Sequence, residues 1–131
     1  MTTVLGSCVS VCLFDGLKHF GGMNHYLLPT PGEGGRHGPW SIRELFQRMV
    51  ELGSRVRNLE AKVFGGGSPL ALANESASVG PENARVAMNI LHELKIRVSG
   101  ESVGGKAGMR LYFENWSGLV LVRPHRGREN S

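Results

Sequence analysis

Nineteen glycines in 131 residues, gathered at Gly21-Gly22, Gly34-Gly35, Gly65-Gly66-Gly67 and Gly104-Gly105, limit how long any regular element of this chain can be. Glycine weakens the interior of helices and strands and favours tight turns, so each cluster punctuates the chain. Between clusters the apolar residues keep a regular period. Hydrophobic residues make up 40% and charged residues 20% of the chain, an ordinary balance for a globular domain and a poor one for disorder. At 131 residues the chain (1–131) reads as a single domain, long enough to bury one sizeable core.

The segments follow in order. Within residues 1–14, Val9, Val11 and Leu13 take one face, while Cys8, Ser10, Cys12 and Phe14 take the other. That is the period of a strand, and two apolar faces place it in the interior. Asp15-Gly16 forms a turn, His19 to Leu28 is a second extended segment interrupted by Gly21-Gly22, and Pro29 to Pro39 is a loop rich in proline and glycine. Ser41 to Leu52 predicts a helix, with Ser41 and Glu44 as a capping box, Ile42, Leu45, Phe46, Met49 and Val50 as its stripe, and Gly53 as its stop. Leu59 to Phe64 is a short strand. A second helix starts near Pro81 and runs to about Lys95, burying Ala84, Ala87, Met88, Leu91 and Leu94. Ile96 to Ser99 follows, then a hairpin of Met109 to Glu114 and Leu119 to Arg123. Strands precede, separate and follow two helices, so the expected class is α+β with a mixed or antiparallel sheet.

The formal charge is +4, and residues 124–131 read as a flexible basic tail. A mildly basic domain is steered toward acidic partners, but no nucleic-acid-binding motif is present. With no signal peptide and no long apolar run, the expectation is a cytoplasmic protein without membrane insertion and with reduced thiols. Cys8 and Cys12, four apart on a strand, stand about 13 Å apart, too far for a disulfide or a shared zinc ion. Gly65-Gly66-Gly67-Ser68 lacks the Lys-Ser/Thr of a phosphate loop, and Val103-Gly104-Gly105-Lys106-Ala107-Gly108 has no helix pattern behind it. Neither a metal nor a cofactor is expected.

The chemistry-bearing candidates are Cys8, at the head of the first strand, and His25, just past the second glycine turn. A thiolate attacks, and a nearby imidazole can take the thiol proton and return it to a leaving group. The competing readings are a buried inert thiol and a histidine bonded to a loop carbonyl. Gly6 and Ser7 form a tight turn whose amides could hold an oxyanion. Asn24 either polarises a substrate amide or serves the turn.

The runs Thr2-Thr3-Val4-Leu5-Gly6-Ser7-Cys8-Val9 and Gly21-Gly22-Met23-Asn24-His25, with Val63-Phe64-Gly65-Gly66-Gly67 and Val103-Gly104-Gly105, resemble the CheD family, the chemoreceptor glutamine deamidases of bacterial chemotaxis. The resemblance implies a three-layer α/β/β arrangement with both helices on one side. It also implies Cys8 as nucleophile, His25 as acid and base, and Thr2 as the group that orients the imidazole. Arg110 falls loosely where the family carries an arginine after its second glycine pair. The implied substrate is a glutamine on the cytoplasmic helices of a chemoreceptor, and CheC is an implied partner. Family members carry a further segment before this threonine, so an upstream extension is expected. Two alternatives stand beside the deamidase: a non-catalytic binding module of the chemotaxis complex, and a small-molecule amidohydrolase using the same Cys-His pair.

Overall fold

Every residue of Val9–Asp15 is buried, because this strand is covered by helices on one face and by a second sheet on the other. The computed structural model describes residues 1–68, 79–105 and 108–125. Strands β1 (Thr2–Leu5), β2 (Val9–Asp15) and β3 (Phe20–Met23) precede helix α1 (Gly38–Glu51). A 3-10 turn, Val56–Asn58, leads into β4 (Leu59–Gly65); α2 (Val79–Glu93), β5 (Arg97–Val103), β6 (Gly108–Phe113) and β7 (Val120–His125) follow. The four-stranded sheet has the order β3-β2-β4-β5 and the three-stranded sheet the order β1-β6-β7. β4 and β5 pair in parallel, and the other pairs are antiparallel. The parallel pair needs a crossover, which α2 supplies.

The alternation in β2 sorts its side chains into two cores. Val9, Val11 and Leu13 pack with Tyr26, Ile42, Ala87 and Leu91 beneath the helices. Cys12 and Phe14 pack with Leu5, Phe64, Leu111 and Phe113 between the sheets. The expected α+β layering, helices on one side of stacked sheets, is what the chain adopts. No helix among the described residues is long and apolar enough to cross a membrane.

Several boundaries differ from the sequence reading. α1 starts at Gly38, with extended His37 as N-cap and Pro39 in its first turn, where a missing amide hydrogen costs nothing. Ser41 therefore lies inside the helix, buried, and its hydroxyl accepts from Asn24 Nδ2 at 2.9 Å. The capping box does not form, and Glu44 instead pairs with Arg48 at 3.1 Å. Val50, counted in the stripe, is exposed. The loop after Leu28 is shorter than expected, because Leu28 bridges His37. β7 runs through Pro124 and His125, the first two residues of the expected tail. Residues 126–131, and Lys106 and Ala107 of the second glycine run, lie outside the described residues.

The end of β2 is fastened by Asp15, which is fully buried. Its carboxylate accepts from Ser54 Oγ at 2.7 Å and from the amides of Leu17 and Lys18 at 2.9 and 2.8 Å. Burial alone would raise its pKa, but the Ser54 hydroxyl and those amides outweigh it and hold the carboxyl below its ordinary value.

Candidate active site around Cys8 and His25

The β2–β3 register, which pairs Cys12 with Met23, continues beyond the end of β3. Asn24 N donates to Val11 O at 3.1 Å, and Val9 and Tyr26 exchange both backbone bonds at 3.1 and 2.9 Å. Extending that register sets Ser10 opposite His25 and Cys8 opposite Leu27. Because strand side chains alternate, Cys8 and His25 share the face turned toward the three-stranded sheet. They are diagonal neighbours, a relation that in antiparallel pairs spans about 7–8 Å and is bridged by longer side chains.

The third group comes from the other sheet. Thr3 Oγ1 lies 2.8 Å from His25 Nδ1. The hydroxyl on the imidazole is thus that of Thr3 rather than Thr2. In β1, Thr3 and Leu5 alternate toward the inside while Thr2 and Val4 are exposed, so a shift of one residue turns the threonine away. Among the described residues His25 Nε2 has no hydrogen-bond partner, so the Thr3 contact is the one that holds the ring.

Solvent reaches the His25 ring, yet the protein around it still desolvates the imidazolium and lowers its pKa. Cys8 is half-buried; burial pushes its thiol up, and its own backbone amide pulls partly the other way. Both shifts run toward the neutral forms, thiol and imidazole, and away from a thiolate–imidazolium pair. Cys12 is deep between the sheets and its thiol is pushed up to about 12, chiefly by burial, so it is the inert member of the two.

The turn bearing Cys8 is held at three consecutive carbonyls. Gly67 N donates to Gly6 O at 2.9 Å, Asn83 Nδ2 to Ser7 O at 2.9 Å, and Gly66 N to Cys8 O at 2.8 Å. Gly65 has φ 102, and any Cβ there would overlap the Cys8 carbonyl oxygen. Gly80 likewise lets α2 rest directly on Gly67 O. Among the described residues no carbonyl accepts from the amide of Ser7 or Cys8, and the Cys8 amide faces its own sulfur. Asn24, by contrast, is committed at both ends: Oδ1 accepts from Val11 N at 2.7 Å and Nδ2 donates to Ser41. Its backbone oxygen accepts from Ser10 Oγ. Its side chain serves the strand.

Asn83 was not among the residues singled out from sequence. It is fully buried on α2, bonds Leu27 O at 2.9 Å as well as Ser7 O, and its own carbonyl accepts from Tyr26 Oη at 2.6 Å. The signal was available: Asn83 stands four residues before Ala87 on the apolar stripe, where an amide needs a reason.

A groove along α2, lined by Pro81, Ala84, Met88 and Val103, includes neither Cys8 nor His25. Among the described residues no three His, Cys, Asp or Glu side chains gather as a metal site.

The class set by these features is a layered α+β domain with an exposed histidine diagonal to a half-buried cysteine and bonded to a threonine from the opposing sheet. Comparison with known proteins gives the family. Residues 28–124 match the family described as CheD chemotactic sensory transduction. The chain is 37% identical over 135 residues to a protein of Trichlorobacter lovleyi named probable chemoreceptor glutamine deamidase CheD, covering 100% of this chain and 83% of that one. It is 41% identical over 126 residues to a protein of the same name from Rhodospirillum rubrum, covering 94% and 72% respectively. Probable chemoreceptor glutamine deamidase CheD 1 of Anaeromyxobacter dehalogenans is 40% identical over 126 residues, covering 94% and 74%. The chain belongs to the CheD family.

Proposed function

We propose that this chain is a protein-glutamine deamidase that converts glutamine side chains on the cytoplasmic helices of a chemoreceptor to glutamate, through a thioester on Cys8. The reading is supported by the names of its relatives and carried by one observation: the Thr3 hydroxyl fixes Nδ1 of a histidine on the same strand face as Cys8. With the proton on Nδ1 donated to Thr3 Oγ1, Nε2 is the basic nitrogen.

His25 Nε2 takes the Cys8 thiol proton as sulfur attacks the glutamine carbonyl carbon. The oxyanion rests on the amides of the Ser7–Cys8 turn, which no carbonyl occupies. Collapse breaks the C–N bond, the imidazolium gives its proton to the departing nitrogen, and ammonia leaves. Water, deprotonated by the same nitrogen, adds to the thioester, and Cys8 departs and regains its proton. One amide and one water become one acid and one ammonia. The exposed His25 and half-buried Cys8 suit a side chain presented on a protein surface better than a small molecule enclosed in a pocket.

The test is mass spectrometry of a receptor fragment, where each converted glutamine gains about 1 Da as amide becomes acid. Cys8→Ala and His25→Ala should abolish the gain. Full activity of Cys8→Ala, or faster turnover of free glutamine than of the fragment, would overturn the proposal.

A further inference from the structure

A trans peptide is planar, with its C=O and N–H pointing in opposite directions. Whatever holds the Ser7 carbonyl therefore also aims the Cys8 N–H. In this chain the holder is Asn83 Nδ2, 2.9 Å from Ser7 O, and Asn83 is fully buried. The same amide group donates to Leu27 O at 2.9 Å. Leu27 stands opposite Cys8 in the extended register, two residues past His25. One NH₂ group, with two hydrogens, thus ties the strand end carrying the thiol to the segment carrying the imidazole.

A core position on a helix is filled more cheaply by an apolar side chain, and here the polar choice carries a cost. Asn83 Oδ1 is buried and, among the described residues, has no partner, an uncompensated desolvation that an apolar side chain would avoid. Packing does not call for such a residue. The two donors account for it.

We propose that Asn83 is a positioning residue: by gripping the Ser7 carbonyl it fixes the Ser7–Cys8 peptide plane and aims the Cys8 amide at the oxyanion of the tetrahedral intermediate. Without it the Ser7 carbonyl can rotate toward the site, and the oxyanion meets an acceptor in place of a donor. The inference rests on the deamidase reading above and adds to it the residue that orients the oxyanion-binding amide of Cys8.

The test separates acyl transfer from thiol reactivity. Asn83→Leu removes both donors and substitutes an apolar, helix-favouring side chain, and Asn83→Asp keeps the shape without the amide donors. Both should lower kcat on the receptor fragment about 10²-fold, the loss typical of one oxyanion donor, with KM within a few-fold. Alkylation of Cys8 by iodoacetamide passes through no oxyanion, so its rate should stay within about twofold of wild type. Ser54→Ala, which removes a buried bond at the other end of β2, controls for stability and should keep wild-type kcat. Wild-type kcat in both Asn83 variants overturns the proposal alone, and so does a parallel loss of kcat and alkylation, which marks collapse of the turn. An inactive wild type removes the deamidase reading and this proposal with it.

Discussion

Thr2 and Thr3 differ by one position and face opposite ways, and that parity decides which of them can touch His25. Motif position names Thr2, while the inward alternation of Thr3 and Leu5 seats Thr3 at 2.8 Å from Nδ1. Parity was legible in sequence only through the burial of Leu5, and a four-residue strand gives too few positions to fix it. Thr3→Val should lower kcat by about 10–100-fold, as loss of an imidazole's orienting partner does, whereas Thr2→Val should leave it near wild type; steady-state kinetics on a receptor fragment distinguish them. The pH profile follows from the same residues. His25 has its pKa lowered by desolvation from an ordinary 6.5, so the neutral base survives to lower pH than a free imidazole would. The acid limb of kcat/KM should accordingly fall below pH 6.5, and a limb at or above that value would contradict a desolvated base. Cys12, at about 12, should resist alkylation at neutral pH until the protein unfolds, while Cys8 labels in the native state.

Glycine clusters announce turns but not what the turns touch. Gly65-Gly66-Gly67 was readable as a place where backbone meets backbone. Its partners, the carbonyls of Gly6 and Cys8, lie far earlier in the chain, beyond the reach of any local pattern. Gly65→Ala imposes a φ of 102 on a residue with a Cβ that overlaps Cys8 O. It should destabilise by about 1–3 kcal/mol and lower kcat by displacing the turn that carries Cys8, whereas Gly16→Ala meets nothing within 4 Å and should be neutral in both. Denaturant titration with kinetics on the folded fraction checks the pair. The start of α1 shows the opposite failure. Ser41 and Glu44 satisfy the local signature of a cap, but Ser41 is claimed by Asn24 across the fold, and Pro39 carries the helix a turn further back. Local chemistry was read correctly and overruled by a tertiary partner. The long stripes and the strand alternation of Val9 to Phe14 were legible because burial on both faces leaves only one arrangement for them.

At the scale of the whole molecule, the proposed site is divided between layers. Cys8 and His25 lie just beyond the ends of β2 and β3 of the four-stranded sheet and Thr3 on β1 of the three-stranded one, so the Thr3–His25 bond measures how closely the two sheets are stacked. Sequence could predict that sheets would stack; it could not show that the stacking closes the site, since residues 3 and 25 meet only after both sheets are built. Leu111 is fully buried between the sheets and is the direct register partner of Thr3 on β6. Met49, 3% exposed, lies in the other core, on the buried face of α1. Truncating either side chain to alanine should cost about 2–5 kcal/mol, since each leaves a cavity in a packed layer. Their effects on catalysis should diverge. Leu111→Ala lets β1 shift relative to the four-stranded sheet, lengthens the bond from Thr3 to Nδ1, and should lower kcat several-fold in protein that is fully folded by circular dichroism. Met49→Ala loosens a layer that carries none of the three groups and should keep wild-type kcat at matched folded fraction. Combining Leu111→Ala with Thr3→Val supplies the decisive measurement: if the core change acts through the threonine, the double variant loses little beyond Thr3→Val alone, while fully additive losses would show that the inter-sheet core governs activity by some other route.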